Sequence, residues 1–301
     1  MTKRAPGTGP VPPWGLALAS MLVVQLGSAL SVHLISVVGP AGTAWLRLSV
    51  GAIIFLALAR PPLRAVRLRD MPALLGLGVN TGLQTTVYLA AIERIPLGTV
   101  VAVEFLGPLT VAAVRSHSTR ALAWPAAAAI GVVLLTQPWR GDISSAGLGL
   151  AGLAGIGWAI YILLTQRIGD RFTGITGLSI TTPVAAAAAA VAGIPQAAGH
   201  LTLGTIAVAA GLAILLPVLP CALEMLALRY MTQTAFGTLM ALEPAIAVLL
   251  GLLVLHQTPS ATQVGGILLV VLAGAAAQRG GRRRTRTTDR TATDPELEST
   301  G

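Results

Sequence analysis

Four charged residues sit well inside stretches that are otherwise apolar: Arg47, Glu104, Glu224 and Glu243. A charge placed at the centre of a membrane span costs roughly 2.5–3.5 kcal/mol on insertion scales, so such residues need a partner, a wet cavity or a task. Burial in a low dielectric disfavours the charged form of a carboxylate, which lets it take up and release a proton as its surroundings change. Arg47 can neutralise one of the glutamates as a structural pair, or present its forked guanidinium to the carboxylate of a substrate. Glu104 and Glu243 each lie close to a proline, in Glu104-Phe105-Leu106-Gly107-Pro108 and Glu243-Pro244. A proline inside a helix frees a backbone carbonyl and bends the axis, so Pro108 and Pro244 are expected to act as helix-break hinges beside the two carboxylates. Glu224 follows Pro217 and Pro220 near the end of its apolar run, where a carboxylate can meet the water boundary.

Uncharged polar side chains join them within the apolar runs: Gln25, Asn80, Gln84, Tyr88, Trp158 and Tyr161. Each can hydrogen-bond a small zwitterion, and each can equally serve packing between helices. Gly78 and Gly82, and the series Ala151, Gly155, Ala159, put small residues at four-residue spacing and read as close helix contacts. His33, His117, His200 and His256 form no cluster, so no metal site is expected, and Cys221 alone supports neither a disulfide nor a thiolate site.

The elements that position these residues follow from composition. The chain has 301 residues, of which 54% are hydrophobic and only 10% charged, and its mean hydropathy is +0.78. That is too apolar for a water-soluble domain of this size. Apolar runs fall at about 14–37, 42–59, 71–91, 96–114, 121–137, 147–166, 175–193, 203–226, 233–254 and 261–277, which predicts an all-α integral membrane protein of ten transmembrane helices. A polar N-terminal segment (1–13) precedes them. A basic, then Thr-rich, then acidic tail (278–301) follows, too poor in apolar residues to pack and so expected to be disordered and cytoplasmic. Lys3 and Arg4 ahead of the first run resemble the start of a signal peptide, but the run continues to Val38 and predicts an uncleaved first helix.

Orientation is read from the basic residues, because loops rich in Lys and Arg remain cytoplasmic. With the N-terminus inside, 17 of the 20 basic residues fall on the cytoplasmic side: Lys3, Arg4, Arg60, Arg64, Arg67, Arg69, Arg115, Arg120, Arg167, Arg171, Arg229 and six in the tail. Only Arg94 and Arg140 lie opposite, which predicts both termini inside. The net charge of +9 therefore reports topology, and no nucleic-acid partner is expected.

A weak internal repeat appears at an offset of 136 residues. Segment 91–111 aligns with 227–247, and Pro108 falls on Pro244. Two five-helix repeats, 14–137 and 147–277, would insert in opposite orientations, the arrangement of many secondary transporters. Enzymatic activity is not expected. The only lysine is Lys3, so no phosphate-binding loop ending in Gly-Lys exists, and no His-Glu-x-x-His helix is present.

Trp45-Leu46-Arg47-Leu48, the stretch from Ile95 to Pro108, Trp158-Ala159-Ile160-Tyr161, and the stretch Phe236 to Ala245 together resemble EamA-type members of the drug/metabolite transporter superfamily, most closely the threonine/homoserine exporter branch. The resemblance spans Trp14 to Ala277. It implies two inverted five-helix repeats in a bacterial cytoplasmic membrane, and proton-driven export of small metabolites with Glu104, Glu243, Trp158 and Tyr161 at the cavity. The expected partners are a small-molecule substrate, protons and the lipid bilayer, with a homodimer as an open assembly and no cofactor. Two other readings stand beside it: the same fold carrying a different metabolite or drug, and a non-transporting membrane scaffold.

Overall fold

The computed structural model describes residues 12–59, 70–115, 122–140, 143–168 and 174–280. Most of the polar N-terminal segment, the tail from 281, His117, and Arg60, Arg64, Arg67, Arg69, Arg120 and Arg171 of the orientation argument lie outside them. Among the described residues the chain is helical throughout, without strands.

Helix α1 (Pro13–Ala59) contains what the sequence reads as two runs. The expected loop at 38–41 shrinks to a single break at Gly39, with φ 72° and ψ 170°. A residue with a Cβ avoids that conformation, while Pro40 suits the first turn of the helix that resumes, so a two-residue corner replaces a loop. Helix α2 (Met71–Ile92) follows.

The fourth apolar run is broken too, into α3 (Leu97–Glu104) and α4 (Leu106–Arg115), and the ninth into α10 (Gln233–Met240) and α11 (Glu243–Leu255). These breaks lie at Phe105 and at Ala241–Leu242. Each break follows the residue four positions before a proline, Glu104 before Pro108 and Met240 before Pro244, whose carbonyl the proline ring and missing N–H leave without an intrahelical partner; the prolines themselves then sit in the first turns of α4 and α11. The remaining helices are α5 (Ala123–Thr136), α6 (Ser145–Ile168), α7 (Gly174–Ala197), α8 (Leu203–Ala213), α9 (Leu219–Tyr230) and α12 (Ala261–Gly280). A π-helical segment, Ile214–Val218, joins α8 to α9 and contains Leu216 in an extended conformation. Thr202 and Thr232 cap α8 and α10 by accepting from Thr205 N–H and Ala235 N–H.

Among the described residues, five helical stretches are long and apolar enough to cross a membrane: Pro13–Ala59, Leu97–Arg115, Ser145–Arg167, Ile175–Ala197 and Leu203–Tyr230. Ala123–Thr136, Glu243–Leu255 and Ala261–Ala277 are shorter apolar helices. Large side chains such as Ile53, Leu58, Ile130, Ile156, Leu203, Leu253 and Leu272 stand on the outside of the bundle. In water such a surface would be a liability, whereas in a bilayer it meets hydrocarbon and every helix keeps its backbone polar groups satisfied internally.

Helix α1 packs chiefly on α7 and also touches α2, α8, α9 and α11; α2 lies against α6 and α7, and α5 pairs with α12. Without a hydrophobic drive inside lipid, close approach of backbones holds such helices together. Gly131 of α5 and Gly266 of α12 meet reciprocally, each where a Cβ would stand 2.6 Å from the other's carbonyl oxygen. Every residue of α3 is buried, so the helix that delivers Glu104 runs through the middle of the bundle.

Candidate functional site

A cavity of about 300 Å³ lies where α1, α2, α6, α7 and the π segment converge on the breaks at Phe105 and Ala241. Its wall includes Gln25, Arg47, Gln84, Tyr88, Glu104, Trp158, Tyr161 and Glu243, so eight of the ten polar or aromatic residues singled out from the sequence come together on one space. The break geometry places the carboxylates. Glu104 is the last residue of α3 and Glu243 the first of α11, so both project from helix ends in the interior rather than from continuous helix faces. As an acidic residue in a first turn, Glu243 also faces the positive end of its helix dipole.

Each carboxylate is held by a glutamine. Gln84 Nε2 donates to Glu104 Oε1 at 3.0 Å, and Gln25 Nε2 donates to Glu243 Oε1 at 3.2 Å. Glu243 lies within electrostatic reach of Glu104. Trp158 packs edge-on against Phe105, with ring centroids 6.2 Å apart, and so braces the break next to Glu104. Backbone contact tightens the same place: Gly155 of α6 lies against the Glu104 carbonyl, and Gly107 against the Gly155 carbonyl.

Arg47 is 4% exposed and makes no ion pair among the described residues. Its Nη1 donates instead to Ser31 Oγ at 2.8 Å, and Ser31 in turn donates to the Gly27 carbonyl at 2.6 Å. Of the two roles open to Arg47 in the sequence, the paired one is therefore not the arrangement adopted. Four buried polar atoms on the cavity residues lack a hydrogen-bond partner: Arg47 Nε, Gln25 Oε1, Ser28 Oγ and Glu243 Oε2. Buried polar atoms normally find partners, so this set of one charged donor, two acceptors and a hydroxyl that can do either marks a place for a polar ligand.

Two expected residues stand elsewhere. Asn80 Nδ2 donates to the Gly157 carbonyl at 2.9 Å and ties α2 to α6, a packing role outside the cavity wall. Glu224 also lies off the wall, accepting from Ser20 Oγ at 3.2 Å. Conversely, Val24, Ser28, Leu48, Thr81, Thr85, Leu178, Thr182, Leu216 and Pro217 line the cavity without having been singled out. For two of them the signal was present: Thr81, Gln84, Thr85 and Tyr88 fall at i, i+3, i+4 and i+7, a polar stripe on one face of an apolar helix. Leu216 and Pro217 reach the cavity only because the π segment bulges toward α1, where Gly27 faces Leu216 and Gly51 faces Pro217. No group of three or more His, Cys, Asp or Glu residues suited to a metal ion occurs among the described residues.

Residues 145–276 match the EamA-like transporter family. The chain is 36% identical over 253 residues to the threonine/homoserine exporter RhtA of Escherichia coli (strain K12), covering 82% of this chain and 85% of that protein. It is 34% identical over 252 residues to the protein of the same name from Salmonella typhimurium (strain LT2), covering 82% and 84%. A crystal structure of a further protein superposes with a TM-score of 0.57 at 18% identity, covering 89% of this chain and 98% of the other. That likeness concerns the fold alone.

Proposed function

The chain belongs to the EamA-like transporter family, and on that premise we propose that it exports small neutral amino acids of the threonine and homoserine kind in exchange for protons. The observation that carries this reading is the set of unpartnered atoms around the cavity. Arg47 Nε is a cationic donor, Gln25 Oε1 and Glu243 Oε2 are acceptors, and the Ser28 hydroxyl can do either. A molecule with a carboxylate at one end and an ammonium at the other offers a partner to the cationic donor and to both acceptors, and leaves the Ser28 hydroxyl for either end. The cavity's 300 Å³ stands at the low end for ligand pockets, which suits a metabolite rather than a drug-sized cargo. Hydroxyls of Thr81, Thr85 and Tyr88 on the same wall offer partners to a substrate hydroxyl.

Coupling follows from competition at the carboxylates. An ionised Glu243 attracts the substrate ammonium, whereas a protonated one does not, so proton and substrate occupy the site alternately. With Glu104 beside it, the cavity would carry substrate in one direction and protons in the other as it opens to each face in turn.

For the supporting architecture we infer ten spans in two inverted repeats with both termini cytoplasmic. The chain breaks at Phe105 and Ala241 are separated by the repeat offset of 136, and the prolines three residues beyond them keep it. The reciprocal meeting of Gly131 and Gly266 supports a pseudo-twofold relation between α5 and α12. The relatives named as threonine/homoserine exporters support the substrate class.

The test is efflux of labelled threonine from proteoliposomes with and without an imposed pH gradient, wild type beside Glu243→Gln. Gradient-stimulated efflux in the wild type and its loss in a folded Glu243→Gln protein is the expected result. Equal stimulation in both would remove Glu243 from the coupling step, and no wild-type efflux of threonine or homoserine would remove the substrate assignment.

A further inference from the structure

Among the described residues, Glu224 is a carboxylate within the apolar runs that the cavity does not use. It projects from the middle of α9, half-buried, and no cation lies within ion-pair distance of it among the described residues. Its Oε1 accepts from Ser20 Oγ, and the same hydroxyl lies 3.3 Å from the Pro220 carbonyl, so the hydroxyl is shared between two acceptors.

The position of Ser20 on α1 gives Glu224 its depth. Ser20 precedes Gln25, which binds Glu243, by five residues. At about 1.5 Å per residue, the Glu224 contact lies roughly 7 Å nearer the N-terminal end of α1 than the Glu243 contact. In the proposed orientation that end is cytoplasmic. Tyr161 of α6 lines the cavity. The titratable groups within electrostatic range of Glu224 are Tyr161 on α6, Cys221 one turn back on α9, and Glu243 on α11.

Resting on the proton-coupled reading above, we infer that Glu224 is a proton-exchange station between the cavity carboxylates and the cytoplasm, positioned by Ser20. A proton released from Glu243 reprotonates the Glu224 carboxylate, which then gives it to water at the cytoplasmic end. Both groups return to carboxylates, and only O–H bonds form and break. Glu224 does not hold the substrate, so its role is confined to the half of the cycle that moves protons.

Two transport modes separate that role from a structural one. Full-length wild type, Glu224→Gln and Glu224→Asp are reconstituted, and gradient-driven threonine efflux is measured beside gradient-free exchange of labelled for unlabelled threonine. In Glu224→Gln, driven efflux is expected to fall by about tenfold or more, the scale of a lost acid–base group, while exchange changes by less than about twofold. Glu224→Asp should recover driven efflux with a displaced pH profile, and that profile alone decides the matter if the glutamine variant fails to fold. Wild-type driven efflux and pH profile in both variants would overturn the inference, as would equal loss of both modes. Failure of the coupled-export reading shows instead in the wild type, as driven efflux no greater than without a gradient, and would overturn both.

Discussion

Gln25 donates a hydrogen bond to Glu243 across 3.2 Å and thereby joins the first half of α1 to the first residue of α11, 218 positions away in the chain. Hydrogen bonds to charged groups are worth about 1.5–3 kcal/mol, and an orphaned buried carboxylate loses more than the bond itself. Gln25→Leu should therefore raise the KM for threonine efflux by about tenfold and lower the midpoint of thermal unfolding in detergent. An unchanged KM would show that Gln25 does not orient the carboxylate for substrate.

Arg47 keeps its charge without a paired carboxylate and spends one donor on Ser31. Arg47→Lys preserves the charge but loses the planar fork, so threonine affinity is expected to fall by about tenfold, and Arg47→Met should abolish binding. Equilibrium binding of labelled threonine to purified protein checks both. Equal affinity in the lysine variant would exclude forked recognition of the substrate carboxylate.

The crossing of α4 and α6 should be intolerant of a single methyl group. A Cβ on Gly107 would collide with the Gly155 carbonyl, and one on Gly155 would stand 3.1 Å from the Glu104 carbonyl. Gly107→Ala is expected to destabilise the protein by about 1–3 kcal/mol through overpacking. Gly152→Ala on the same α6, where nothing lies within 4 Å, should be neutral or slightly stabilising, since alanine is the better helix former. Melting curves of the two variants side by side test the contrast, and equal behaviour would contradict the packing.

The corner at Gly39 makes a parallel case within α1. Gln196 of α7 accepts from Ala41 N–H at 2.7 Å and Gly42 N–H at 3.1 Å, two of the orphan donors that begin the helix after Pro40. Gln196→Leu removes both acceptors and should cost about 1–3 kcal/mol. Gly39→Ala should be at least as damaging, because the φ of 72° is strained for alanine and the Gln196 side chain occupies the place of the new methyl. Thermal unfolding in detergent measures each, and a Gly39→Ala protein as stable as wild type would be incompatible with this corner.

Much of the site was legible because the bilayer makes the accounting simple. Glu104, Glu243 and Arg47 stand out in apolar runs for an energetic reason that does not depend on where their helices go. Gln84 and Tyr88 carried the further signal of a polar stripe with Thr81 and Thr85, a matter of helical period alone. Asn80 gave the same compositional signal but turned out to hold α6, because a polar side chain in an apolar run is equally served by a neighbouring carbonyl.

Hydrophobic runs, basic-residue placement and the intramembrane charges are local properties, so the amino-acid sequence by itself determined that the chain is a helical membrane protein and which charged residues need an explanation. Three things required the tertiary structure. It alone decided that Arg47 bonds Ser31 and no glutamate, that the helices stop at Phe105 and Ala241, one turn before the prolines, and that Leu216 and Pro217 close the cavity while Glu224 stands apart from it. The closing of the cavity depends on the approach of segments distant in the chain, at glycines such as Gly27 and Gly155 whose missing Cβ admits a neighbour's backbone or side chain. Spacing along one helix carries no information about which other helix will occupy that gap.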